Sequence, residues 1–205
     1  MKKIIASIMM CTFIICTSCN PNNQSEQTAS KSPQEAVIEN ILTRRSIREY
    51  KSTPLDSLQL RQIIECGLFA PNGKGMESWE VRVVTNPDIL QRINLAYNNN
   101  DTTQLHAFFN APALIFVAYD TQYDLSQVDC GLLGGNMMLA AHAMGIGSCC
   151  LGSLARFVNS EQGNCIREQL LFSPTHRLLF AIAMGYPDES PKAKPRNWDR
   201  VKFIE

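Results

Sequence analysis

Residues 113–152 read ALIFVAYDTQYDLSQVDCGLLGGNMMLAAHAMGIGSCCLG, and the class of fold turns on them. Ala113 to Tyr119 is an unbroken apolar, partly β-branched run, which suits a buried strand. After a short polar connection, Ser126 to Met144 predicts the longest helix, with Leu133, Met137, Ala141 and Met144 on one stripe. Gly131, Gly134 and Gly135 lie on or near that stripe. Each costs about 1 kcal/mol relative to Ala, so a backbone or ring packed close by, within the chain or across a dimer interface, is expected. Gly145 to Gly152 then turns into a short strand. This turn lacks the Gly-x-Gly-x-x-Gly spacing after a strand, and Gly-Lys-Ser/Thr is absent too. A Rossmann fold is disfavoured and a P-loop is not supported.

Working outward, Ser32-Pro33-Gln34-Glu35 is a capping box with Pro at the first helical position, predicting a helix from Pro33 to Thr43. Leu58, Ile63, Ile64 and Leu68 mark a second amphipathic helix over Asp56 to Phe69, which Ala70-Pro71-Asn72-Gly73-Lys74-Gly75 breaks. A strand is expected at Glu80 to Thr85 and a helix from Asn86-Pro87 to Ala96, with a loop at Asn98 to Asp101. Beyond residue 152, a helix is expected over Ser160 to Leu171 and a strand over Arg177 to Met184. The order shows neither regular βαβ repeats nor separated blocks. It fits an α+β sandwich, a central sheet covered by helices.

Basic residues stand at both ends of this folded part. Arg44-Arg45-Ser46-Ile47-Arg48 opens it and Lys194-Pro195-Arg196 nearly closes it, like two halves of one anion clamp. Guanidinium forks meet phosphate oxygens two at a time, so such a pair suits a phosphate monoester. Lys plus Arg total 19 and Asp plus Glu total 19, and this balance argues against a nucleic-acid partner. Beyond Cys19, the five cysteines Cys66, Cys130, Cys149, Cys150 and Cys165 form no disulfide framework and are expected to be small buried hydrophobes. Zinc-ligand spacing is absent, since His106, His142 and His176 stand far apart; no metal site is expected. His142 reads as a satisfied core residue, and Glu77 and Glu80 as solvated carboxylates. No nucleophile or proton relay emerges, so no side chain is assigned as acid or base. A phosphate clamp without side-chain chemistry suggests that a cofactor carries the reaction.

The first residues stand apart. Met1-Lys2-Lys3 is a basic start, and Ile4 to Thr17 is an apolar run too short to span a bilayer as a helix. Cys16-Thr17-Ser18-Cys19 resembles the lipobox of bacterial lipoproteins, with Cys16 where Leu is usual. The expectation is a signal peptide over residues 1–18, cleavage before an acylated Cys19, a polar tether over 19–31, and the folded domain over 32–205. The protein would be exported and anchored to the membrane by lipid alone.

The order Arg-Arg-Ser-x-Arg, Ala-Pro-x-Gly before Trp79, Gly-Ile-Gly-Ser-Cys-x-Leu-Gly, Met-Gly-Tyr-Pro and Lys-Pro-Arg is similar to the nitroreductase family of FMN-dependent oxidoreductases. The resemblance covers residues 33–205. It implies a mainly antiparallel sheet, a homodimer with FMN at the subunit interface, and ping-pong transfer from NADH or NADPH through the flavin to a small acceptor such as a nitroaromatic or quinone. Carried over by position, Arg44 and Ser46, with Arg45 beside them, resemble the family's phosphate and ribityl contacts, and Lys194 and Arg196 its closing basic pair. Arg48 resembles the basic residue at the pyrimidine edge of the flavin, where a fixed cation favours the reduced anion. Pro71, Asn72 and Gly73 resemble the loop that reaches FMN from the partner subunit. Cys149, Cys150, Leu151 and Gly152 resemble the segment covering one flavin face, and Asn100 lies in a loop matched to a pyrimidine-edge contact.

Two departures bear on activity. Gly75-Met76-Glu77-Ser78-Trp79 stands where the family usually has Asn-Ser-Gln-Pro-Trp, placing a carboxylate near an electron-rich cofactor. Little chain separates Tyr119 from Val128, where larger members carry pocket-shaping insertions. Two other readings stay open: an FMN-dependent dehydrogenase that oxidises its substrate, and a non-catalytic flavin-binding protein, the latter kept open by Glu77 and the expected export.

Overall fold

The structure is a computed structural model that describes residues 31–103 and 106–205. The expected signal peptide, Cys19 and nearly all of the tether lie outside the described residues. Helix α1 (Pro33–Thr43) begins at the capping box: the Ser32 hydroxyl accepts the Glu35 N–H, and the Glu35 carboxylate accepts the Ser32 N–H. Helix α2 (Ser57–Leu68) is capped by the Asp56 carboxylate, and α3 (Pro87–Tyr97) by the Asn86 side chain with Pro87 in its first turn. Helix α4 (Ser126–Ala143) is the long helix, and α5 (Gly152–Val158) and α6 (Asn164–Leu170) are short.

Strands β1 (Trp79–Val84), β2 (Ala113–Asp120), β3 (Gly147–Leu151) and β4 (His176–Gly185) form one sheet in the order β1-β2-β4-β3, with every neighbouring pair antiparallel. Alternation along the central strands divides the core in two. Leu114, Phe116, Ala181 and Ala183 face α3, α5 and α6 through Ile93, Leu154, Val158 and Ile166. Ala113, Ile115, Val117, Ile182 and Met184 face α2 and α4 through Ile63, Leu133 and Met137. Each of the larger side chains (Val, Leu, Ile, Phe, Met) taken from water contributes about 1.5–3 kcal/mol, and each alanine methyl about 0.8 kcal/mol. This is why β2 reads as a continuous apolar run: it is covered on both faces.

Most expected elements recur within a residue or so. The exception lies after β3, where α5 was not expected and the helix expected from Ser160 begins only at Asn164. Helix α5 has seven residues, and its buried Leu154, Ala155 and Val158 make too short a pattern to reveal a period. The glycines of α4 also divide. A Cβ at Gly134 would lie 2.7 Å from the Phe180 ring, whereas Gly131 and Gly135 meet nothing within 4 Å in this chain. Close packing within the chain thus explains one glycine of the three.

Candidate functional site

The chain entering the site leaves α1 at Arg44 and runs beside the edge strand β3. Ser46 bridges Ser148 in parallel, and the Ile47 N–H donates to the Ser148 carbonyl at 3.0 Å. This close approach needs a missing side chain, since a Cβ at Gly147 would lie 2.9 Å from Ile47 Cγ1. Tyr50 pins the segment from beneath, its hydroxyl donating to the carbonyls of Ile47 (2.7 Å) and Ala183 (3.2 Å).

The end of the chain returns alongside. The Lys51 N–H donates to the Tyr186 carbonyl and the Asp188 N–H to the Glu49 carbonyl, both at 2.9 Å. The Glu189 carboxylate accepts the backbone N–H of Arg48. Residues 186–196 are thereby laid against 44–51, and the two basic segments meet. Arg44, Arg45, Ser46 and Arg48 line one cavity of about 170 Å³ together with Lys192, Lys194 and Arg196. A second cavity of about 310 Å³ shares Arg44 and Arg45 and is walled by His142, Ser148 and Glu189.

The donor set fits a phosphate monoester. Arg44 Nη1 is buried and has no hydrogen-bond partner among the described residues. A buried guanidinium nitrogen without an acceptor is costly, and an anionic oxygen removes that cost. Arg48 Cζ lies 6.0 Å from the centre of the Phe109 ring. His142 Nε2 lies 2.9 Å from Thr43 Oγ1, and burial, then the Arg44 and Arg45 charges, hold its pKa below the usual histidine value. It is therefore a neutral, half-buried wall of the site and not the core residue expected.

Cys149 is buried, and burial raises its thiol pKa against the pull of Arg48, Ser46 and Arg44. It remains a thiol at neutral pH. Leu151 is buried, while Cys150 and Gly152 are exposed beside it. All five described cysteines are free, and Cys150 and Cys165 are exposed, contrary to the expectation of buried hydrophobes. Within one chain, Pro71, Asn72, Gly73 and Asn100 do not line the basic cavities. The first three occupy the loop between α2 and β1, and Asn100 follows α3 in a left-handed turn (φ 63°).

Glu77 is exposed, as expected, but Glu80 is not a free solvated group. Its carboxylate accepts from Ser173 and Arg82 and lies 3.8 Å from His176. The sequence reading also missed Tyr50 and Glu189, and it misplaced His142. Glu189 lies 141 positions from its partner Arg48, and no local pattern could have joined them.

Residues 41–186 match the nitroreductase family. The NADPH-flavin oxidoreductase of Vibrio harveyi is 28% identical over 171 residues, spanning 78% of this chain and 69% of that protein. A nitroreductase of Bacteroides fragilis with bound FMN superposes with a TM-score of 0.72 at 27% identity, covering 82% of this chain and 98% of that one. A nitroreductase of Desulfitobacterium hafniense with bound FMN superposes with a TM-score of 0.73 at 25% identity, covering 83% and 98%.

Proposed function

The chain belongs to the nitroreductase family, and from that premise we propose that it is an FMN-dependent NAD(P)H oxidoreductase. The observation that carries this reading is the meeting of two distant basic segments around the buried, unpartnered Arg44 Nη1. Arg44, Ser46, Lys194 and Arg196 would hold the FMN phosphate, with Arg45 beside them. Arg48 would set a positive charge at the pyrimidine edge. The chemistry supplied by bound FMN is hydride acceptance from NADH or NADPH and hydride delivery to a nitroaromatic, quinone or other conjugated acceptor. The chain's own work is binding and orientation, which suffice for hydride transfer without a side-chain acid or base.

We propose a homodimer as the working unit. Val37, Ile38, Ile41 and Leu42 of α1 are 48–68% exposed, Val128 and Leu132 of α4 are 57% and 42% exposed, and Val201, Phe203 and Ile204 of the tail 50–90%. So much exposed apolar surface supports burial against a second copy. Pro71, Asn72 and Gly73, which do not line the basic cavities of their own chain, would then serve the partner's flavin. Asn100 is proposed as a further cofactor contact, and Cys149 to Gly152 as the segment facing the ring.

Export and attachment through an acylated Cys19 are proposed from the sequence of residues 1–31. Among the described residues no helix is long and apolar enough to cross a membrane.

Protein lacking residues 1–19 should purify yellow, and NADH or NADPH without oxygen should bleach it. Protein that is colourless and takes up no FMN would defeat the proposal. Bleaching by dithionite but by neither nicotinamide would instead favour a dehydrogenase or a carrier.

A further inference from the structure

The loop between α2 and β1 is wound tightly, with Lys74 at φ 56°, Gly75 at φ 65° and Glu77 at φ 46°. Left-handed backbone at Lys and Glu persists only where the surroundings over-determine it. Here the holding group is one carboxylate from another element. Asp129 Oδ1 accepts the Gly73 N–H at 3.0 Å, and Oδ2 accepts the Ser78 hydroxyl at 3.2 Å. Gly73 and Ser78, which bracket the left-handed residues, are thus tied to one side chain in the first turn of α4. Ser126 reinforces the grip, donating to the Ser78 carbonyl and accepting the Asp120 N–H at 2.8 Å. Inside the loop, the Asn72 side-chain oxygen accepts the Glu77 N–H at 3.0 Å.

Asp129 is 2% exposed, Ser126 0% and Ser78 7%. No Lys, Arg or His forms a salt bridge with Asp129 among the described residues. A buried carboxylate without a cation is expensive to keep, and its place at a helix N-terminus offsets only part of that cost. A neutral side chain would serve helix packing better. A carboxylate offers two acceptor oxygens and no donor, so each oxygen here takes one donor, and both donors belong to the loop. The result is a preset loop whose Pro71, Lys74, Met76 and Glu77 face outward.

We infer that Asp129 is the positioning residue of the flavin loop: it holds Pro71, Asn72 and Gly73 in the shape that meets FMN. The inference rests on the reading that this loop contacts the cofactor. Asp129 is buried and bonded to Gly73 and Ser78, so its removal would change cofactor binding through the loop.

The test is FMN release from the holoprotein on dilution, followed by the rise in flavin fluorescence, together with the visible circular dichroism of the bound flavin. Asp129→Asn, which removes the charge and turns one of the two acceptor oxygens into a donor, should weaken FMN binding about tenfold, and Ser78→Ala about threefold. Both should alter the flavin dichroism, which a purely structural role would leave alone. Should Asp129→Asn fail to fold, Ser78→Ala carries the test. FMN affinity within twofold of wild type and unchanged dichroism in these variants, while Asn72→Ala still weakens binding, would overturn the role of Asp129. If Asn72→Ala also leaves FMN untouched while Arg196→Ala weakens it, the loop reading fails and the inference fails with it.

Discussion

Gly73→Ala should be costly for a reason that a second substitution can cancel. A Cβ at Gly73 would lie 2.2 Å from the Tyr123 hydroxyl oxygen, while Tyr123 Cζ and Leu125 Cδ1 would both lie at 3.3 Å. Ordinary contact is nearer 3.5 Å, so the phenol must retreat by more than 1 Å, and overpacking of this kind costs about 1–3 kcal/mol. The Tyr123 hydroxyl is buried and has no partner among the described residues, so Tyr123→Phe forfeits no hydrogen bond and should be nearly neutral. It also removes the one atom inside 3 Å. In the Phe background the methyl should cost well under 1 kcal/mol, giving a coupling of about 1–2 kcal/mol. Any gain from Ala restricting the unfolded chain, about 0.4–1 kcal/mol, is the same in both backgrounds and cancels in the cycle. The assay is urea unfolding of the four proteins at one protein concentration, with equal slopes required. If Gly73→Ala costs the same in both backgrounds within about 0.5 kcal/mol, the contact is not what excludes a side chain at Gly73. A loss above 1 kcal/mol for Tyr123→Phe alone would mean that the hydroxyl has a partner.

Arg82 donates to the carbonyls of Leu170 and Leu171 and to Glu80, and lies 4.8 Å from the Phe172 ring centre; Arg82→Met should therefore destabilise by about 2–3 kcal/mol in the same unfolding assay. Burial raises the Glu80 pKa, but the Ser173 bonds and the His176 and Arg82 charges outweigh it and hold the group below the ordinary carboxylate value. Its contribution is complete above that ordinary value and is lost as pH falls through the lower folded value, so Glu80→Gln should flatten the acid limb of stability against pH and leave the limb above neutrality unchanged. An unaltered acid limb would remove Glu80 from that account. Arg196→Ala should lower FMN affinity by about 1.5–3 kcal/mol through loss of a charge-assisted contact, and an unchanged FMN titration would take the closing jaw out of the site. Cys19→Ser should abolish membrane attachment, and mass spectrometry finding no acyl group on the wild type would end the anchoring proposal.

Local chemistry was legible without coordinates. The Ser32–Glu35 capping box, the Pro87 helix start and the apolar run of β2 each depend on residues a few positions apart, and all appear where expected. Both halves of the basic clamp could also be named, because arginine and lysine advertise anion binding wherever they stand. What the sequence could not supply was their convergence. That depends on β4 pairing with β3, which lays residues 186–196 beside 44–51, and on glycine at 147 so that Ile47 can lie against the sheet. Asp129 was equally silent: one acidic residue in a helix is usually a solvated turn, and only packing of α4 beneath the loop buries it against Gly73 and Ser78. Periodicity and capping act over one helical turn or one strand pair. Hydrogen bonds such as Ser78–Asp129 and Arg48–Glu189, between residues 51 and 141 positions apart, are set by sheet order and burial, which no short stretch of chain encodes.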